Sequence, residues 1–192
     1  VTAVADFPTV RLATLADVPA ITSLIGRSVR ALSAGYYTPA QVESALKYVF
    51  GVDTQLVRDG TYYVIESPGG GLAAAGGWSR RTTLYGGDQA KAAADPALDP
   101  SVDPARIRAF FVDPAFARRG LGRRLFEACA AAAAAAGFRA LELAATLPGE
   151  PFYRALGFAP IERVVTTLPD GQALAVNRMS RPLPGVQPPV EC

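Results

Sequence analysis

Hydrophobic positions along the chain switch between a spacing near 3.6 residues and a spacing of two, the signature of helices interleaved with strands. Val10 to Ala13 reads as a short strand, and Thr14 with Asp17 three residues later has the spacing of a capping box. The helix it opens is expected to bury Ile21, Leu24, Ile25, Val29 and Leu32. Thr38 opens a second helix, with Pro39 at the first helical position and Gln41 completing another box, and the pattern runs to about Phe50. Thr61 to Glu66 and Leu72 to Ser79 are strands joined by the proline and glycines of Ser67 to Gly71.

From Arg80 to Pro104 the periodicity disappears, and Asp-Pro steps at Asp95, Asp99 and Asp103 favour extended turns. So long a connection either borders a site or is a plain surface excursion. Arg106 to Val112 is then a strand stopped by Asp113 and Pro114, followed by a turn and a helix whose buried stripe is Leu121, Leu125, Cys129 and Ala133 or Ala136. The alanine run Ala130 to Ala136 favours helix and lets it approach a sheet closely, and Gly137 ends it. Ala140 to Ala144 is the next strand, a short helix carries Tyr153, and Ile161 to Leu168 pairs with Ala173 to Met179 across Pro169 to Gly171. The Pro-rich stretch from Pro182 to Cys192 reads as a disordered tail, which makes residues 1–181 the folded unit.

Composition narrows the class. With 192 residues, half of them hydrophobic, the chain suits one domain with a substantial core. A net charge of +2, from 19 basic and 17 acidic residues, is too balanced to indicate a nucleic-acid or membrane surface. No apolar run approaches the ~20 residues of a membrane helix, and the amino-terminal segment lacks a signal-peptide pattern, so a cytoplasmic location is expected. With no histidine and only Cys129 and Cys192, two free thiols are expected and no metal site.

The densest chemistry lies in ARIRAFFVDPAFARRGLGRRL, Ala105 to Leu125. A helix N-terminus presents unpaired N–H groups and partial positive charge, and anions collect there. Gly120 and Gly122 allow close backbone approach, and Arg118, Arg119, Arg123 and Arg124 add full charge. A diphosphate suits such a turn. No Gly-Lys-Ser/Thr follows Gly120, so it is no Walker loop, and Leu125 stands where a dinucleotide fingerprint would need a third small residue.

The segment resembles the phosphate-binding motif of the GNAT N-acetyltransferase superfamily, a strand ending in V-x-P followed by R/Q-x-x-G-x-G/A and a helix. PGEPFYRALGF, Pro148 to Phe158, resembles that superfamily's second signature, and the resemblance spans about Val10 to Arg181. It implies an α/β (α+β) fold with a mixed, mostly antiparallel sheet of about seven strands, its central strands splayed and helices flanking it. It also implies acetyl-CoA as cosubstrate, its pantetheine arm bonding the backbone of Phe111 and Val112. The diphosphate would rest on the amides of Arg119, Gly120, Leu121, Gly122 and Arg123, with Arg118 nearby, and Thr146 and Phe152 complete the donor site. Val112 N–H would hold the oxyanion formed by direct amine attack, and Tyr153 would protonate the leaving thiolate.

Several positions depart from the family pattern. Arg108 and Ala109 stand where many relatives carry a glutamate base, Ala117 where they carry Gln or Arg, and Ala144 and Ala145 near a frequent asparagine. The base function then falls to a water chain or to an amine already partly neutral, with Glu66 acting through a water as the alternative to its simpler reading as a solvated strand end. Tyr36, Tyr37, Trp78 and Arg108 are candidate acceptor contacts, each with a packing or ion-pair alternative. If the face bearing Arg106 and Arg108 lines the cleft, an acceptor with a carboxylate or phosphate is suggested; the alternative is a pair with Asp95, Asp99 or Asp103. The implied reaction is acetylation of a small-molecule primary amine, with protein amino groups or a non-catalytic acyl-CoA-binding module as alternatives. A homodimer is common in the family.

Overall fold

Alternation along the strands assigns each helix to one side of a seven-stranded sheet. The computed structural model describes residues 8–91 and 94–184. The strands are β1 (Arg11–Leu12), β2 (Tyr62–Glu66), β3 (Leu72–Ser79), β4 (Ala105–Val112), β5 (Ala140–Thr146), β6 (Ala159–Thr167) and β7 (Ala173–Pro182), in the order β1-β2-β3-β4-β5-β7-β6. Every neighbouring pair is antiparallel except β4 with β5. The helices are α1 (Val18–Leu32), α2 (Pro39–Tyr48), α3 (Thr54–Arg58), α4 (Leu121–Ala135) and α5 (Glu150–Ala155).

Tyr62 and Val64 of β2 join one core with Ile21, Leu24 and Ile25 of α1 and Val42 and Ala45 of α2. Ile65, one residue on, points to the opposite face and packs with Ala73, Ala74 and the α4 residues Leu121 and Leu125. Further along α4, Phe126, Cys129 and Ala133 meet Leu141, Leu143 and Ala145 of β5. Because both faces are covered, all eight residues of β3 are buried, and their small side chains let the helices sit close.

The break in alternation that matters for the cleft is in β4. Gly77 pairs with Arg108 and Ala75 with Phe111, so Ala109 and Phe110 together oppose Gly76, a β-bulge. Ala109 takes the left-handed region at φ +54°, unusual for a residue with a Cβ. Arg108 and Ala109 therefore lie on the same side of the sheet, and Phe110 is returned to the α4 side. Three contacts secure the bulge. Tyr62 donates from Oη to the Ala109 carbonyl at 2.9 Å. A side chain at Gly76 would lie 2.6 Å from the Phe110 ring, and one at Gly77 2.6 Å from the Thr61 carbonyl oxygen, so both glycines are required by close approach.

The expected architecture is present, with corrections at several ends. β1 is only two residues long. Thr14 opens a single 3-10 turn, Leu15–Asp17, and α1 begins after it; Asp17 accepts from both the N–H and Oγ1 of Thr14 and is paired with Arg11. Leu32, expected in the core, is 40% exposed because its place on the last turn of α1 faces open space. α2 ends at Tyr48 rather than Phe50, and the unexpected α3 follows, capped by the Asp53 carboxylate, which accepts from the N–H groups of Gln55 and Leu56. Pro182 belongs to β7, and Leu183 is buried with its N–H donating to the Arg139 carbonyl, so the folded unit passes the expected boundary. The remainder of the expected tail, with Cys192, lies outside the described residues. Among the described residues Cys129 is a free thiol buried under α4, and no helix is long and apolar enough to cross a membrane.

Replacing Gly77 with Ala forces its Cβ into backbone of the neighbouring strand. The expected cost is about 1–3 kcal/mol of stability, read as a lower urea midpoint at unchanged m-value.

Candidate active site

β4 and β5 pair only at Ala105–Leu141 and Arg106–Glu142, then part. The vertex is closed by charge: Glu142, almost fully buried, receives Arg106 at 3.1 Å and Arg178 at 2.6 Å. Beyond it the two strands line a cleft of about 650 Å³, into which Phe110, Phe111, Val112, Ala144 and Thr146 face. The Asp113 N–H donates to Ala73 on β3 at 2.8 Å, so backbone alternation turns the Val112 N–H to the opposite edge, toward the cleft. That edge of β4 offers an extended ligand the hydrogen bonds of an added strand.

The turn after β4 is held by Asp113, whose carboxylate accepts from the Ala115 N–H and pairs with Arg27 at 2.9 Å. Arg118 at φ +62° and Gly120 at φ +81° reverse the chain and aim the first turn of α4 at the cleft. Gly122 lies flat against Phe152, where a Cβ would stand 3.1 Å from the ring. Arg118 and Arg123 line the cleft with Gly120, Leu121 and Gly122. The side chains of the other two arginines are engaged elsewhere: Arg119 lies over the Phe116 ring at 5.6 Å, and Arg124 donates to the Pro8 carbonyl. Unpaired helix amides, two cations and an open strand edge on one continuous surface fit a ligand with a diphosphate and an amide-bearing arm.

Tyr153 also lines this cleft, from α5. Its ring is set edge-on to Phe110, Phe152 and Phe158, at centroid distances of 6.4, 5.1 and 5.8 Å. Burial raises the phenol's pKa above its ordinary 10, so it is a proton donor throughout the neutral range. Thr146 and Phe152 line the same region, as their place in the sequence suggested.

The opposite wall comes from α1 (Val29, Leu32, Tyr36 just beyond it), from Phe50, and from Leu84 to Gly87 of the long loop. This loop therefore borders the cleft, and the reason is Arg108. Its buried guanidinium pairs with Asp53 at 2.9 Å and donates to the carbonyls of Thr83 at 2.8 Å and Gly86 at 2.7 Å. Burial pulls the Arg108 pKa down while Asp53 opposes the shift; Lys91 supplies a second cation to Asp53. Arg108 is thus a structural anchor with Asp53 as partner, rather than Asp95, Asp99 or Asp103.

Three other candidates lie away from the cleft. Glu66 stands exposed at the end of β2, paired with Arg11 at 2.9 Å, because a register irregularity at Ile65 and Glu66 ends the regular pairing there. Trp78 is buried against Phe138, ring centroids 6.0 Å apart, since its strand position points under α4. Tyr37 is a core clamp whose hydroxyl donates to the Ala175 carbonyl at 2.6 Å and accepts from the Leu147 N–H at 2.9 Å. Asp53 was missed, although an Asp ahead of Thr-Gln-Leu is a helix-cap signal.

Residues 58–160, more than half of the chain, match the family model described as Acetyltransferase (GNAT) domain. Comparison with curated proteins gives no match. Among solved structures, a GCN5-related N-acetyltransferase from Rhodopseudomonas palustris is 19% identical with a TM-score of 0.67, over 93% of this chain and 97% of that one. The phosphinothricin acetyltransferase of Sinorhizobium meliloti, in complex with AcCoA, is 22% identical with a TM-score of 0.60, over 94% and 92%. The yncA protein of Salmonella typhimurium, with acetyl-CoA, is 19% identical with a TM-score of 0.61, over 97% and 99%. At these identities the likeness is one of fold.

Substituting Asp53 with Ala leaves the Arg108 charge buried without its carboxylate. A loss of about 3–5 kcal/mol is expected, together with faster amide exchange across residues 83–90 than across α4.

Proposed function

Since the chain belongs to the GNAT acetyltransferase family, its chemistry is acyl transfer from acetyl-CoA, and we propose that the acceptor is the primary amine of a small molecule, attacking directly in a ternary complex. The observation that carries this reading is one cleft lined by the helix-terminal turn, the open edge of β4 and the Tyr153 phenol, with a loop walling the other side. Acetyl-CoA supplies an activated thioester. The α4 amides, with Arg118 and Arg123, hold the diphosphate, and the Phe111 and Val112 backbone aligns the pantetheine arm. The Val112 N–H stabilises charge developing on the thioester oxygen. Tyr153 delivers a proton to the departing sulfur; the burial that raises the phenol's pKa also raises that of a thiol in the same cleft, so the transfer is not opposed by the whole shift.

Among the described residues neither Asp nor Glu lines the cleft, and the chain has no histidine. With Glu66 engaged at the far end of β2, the acceptor loses its proton to water before attack.

Tyr153→Phe is expected to lower kcat about 100-fold while the Kd for acetyl-CoA stays within about twofold, measured by thiol release and calorimetry. An unchanged kcat removes Tyr153 from proton transfer. The logarithm of kcat/KM should rise with pH at unit slope until the acceptor's own pKa, so exchanging the amine for a less basic one moves the break by the difference in their pKa values. A break that stays in place across amines would instead mark a protein base.

A further inference from the structure

The acceptor side of the cleft differs in chemistry from the donor side. Leu32 is 40% exposed and Tyr36 53% exposed, and both line the cleft, so large apolar surfaces face it from the end of α1. Phe50 and Phe111 stand edge to face across it, centroids 6.5 Å apart. Tyr85 is fixed by a 3.0 Å hydrogen bond between its hydroxyl and Thr166 Oγ1, beside Leu84. These positions form a preorganised aromatic surface.

Charge on this side is fully engaged. Among the described residues Arg108 is the one cation lining this side, and its guanidinium already serves Asp53 and two loop carbonyls, leaving it turned into the protein rather than toward a ligand. Among the described residues no carboxylate lines the cleft. A polycationic acceptor would find no anion to replace its hydration, and an acceptor bearing a carboxylate or phosphate would find no free cation. An apolar acceptor meets neither penalty, and its single amine enters uncharged.

Resting on the acetyl-transfer reading, we infer that the acceptor is an aromatic monoamine, of the arylalkylamine class, whose ring packs among Leu32, Tyr36, Phe50, Leu84, Tyr85 and Phe111. The amine nitrogen forms the new bond to the acetyl carbon, the bond from that carbon to sulfur breaks, the nitrogen's surplus proton leaves to water while Tyr153 protonates the sulfur, and the Tyr153 phenolate takes a proton back from water.

The test uses the full chain with benzylamine, 2-phenylethylamine and tryptamine, against spermidine and glutamate. Thiol release gives kcat/KM, and saturation-transfer NMR on the CoA-loaded protein gives binding independently of turnover. The best arylalkylamine is expected to exceed spermidine and glutamate at least tenfold in kcat/KM. Leu32→Asp, at an exposed position, should reduce the arylalkylamine value about tenfold without changing the KM for acetyl-CoA. Higher kcat/KM for spermidine or glutamate would overturn the inference and leave acetyl transfer to small amines intact. Arylalkylamine binding that is sensitive to Leu32→Asp, without thiol release, would support the pocket assignment and overturn the transfer reading. Absence of both binding and release would overturn both.

Discussion

Everything about the cleft depends on the bulge in β4. One extra residue, accommodated by Ala109 in the left-handed region, reverses the side on which Phe110, Phe111 and Val112 fall and carries the strand away from β5 after only two paired positions. Such a conformation costs on the order of 1–2 kcal/mol for a residue with a Cβ, and it persists because the surroundings over-determine it. The Tyr62 hydroxyl holds the bulge carbonyl, and Gly76 and Gly77 clear space where side chains would collide. Without the bulge, the Val112 N–H would not reach the open edge, and the sheet would close where a ligand must enter.

The side of the cleft formed by the turn before α4 is built mostly from backbone. Arg118 and Gly120 take positive φ so that the first amides of α4 face the cleft, and Gly122 lets Phe152 lie against the helix. Of the four arginines in the turn, two line the cleft, while one stacks on Phe116 and one ties down Pro8. A side chain near an anion site thus has structural uses that its position in a basic cluster does not distinguish. The vertex opposite, with Glu142 between Arg106 and Arg178, keeps the two strands together where they must pair.

The opposite wall follows the opposite rule: its charges are turned inward. Arg108, with Asp53 and Lys91, forms a buried group that pins the loop walling the cleft. What remains facing the cleft is apolar and aromatic. The same division accounts for Leu32, which fits the core-facing stripe of α1 by periodicity but lies on the helix's last turn, where no element covers it.

Local signals in the sequence were sufficient for most elements: capping residues at Thr38, the glycine-rich turn after Glu66 and the stripe of α4 are all set by neighbours within one or two turns. The glycine turn and the short helix carrying Tyr153 were legible for the same reason, since glycines and a short motif act locally. The partners of Arg108, Glu66, Trp78 and Tyr37 were not, because each is decided by contacts from distant segments: Arg108 with Asp53, 55 residues away, and Tyr37 with Ala175, 138 residues away. Sequence alone therefore determined the order of elements and the glycine turn that opens α4. Only the tertiary structure decided which charges are spent on holding the fold, and so which surfaces are left to meet a ligand, because that depends on pairings no local pattern encodes.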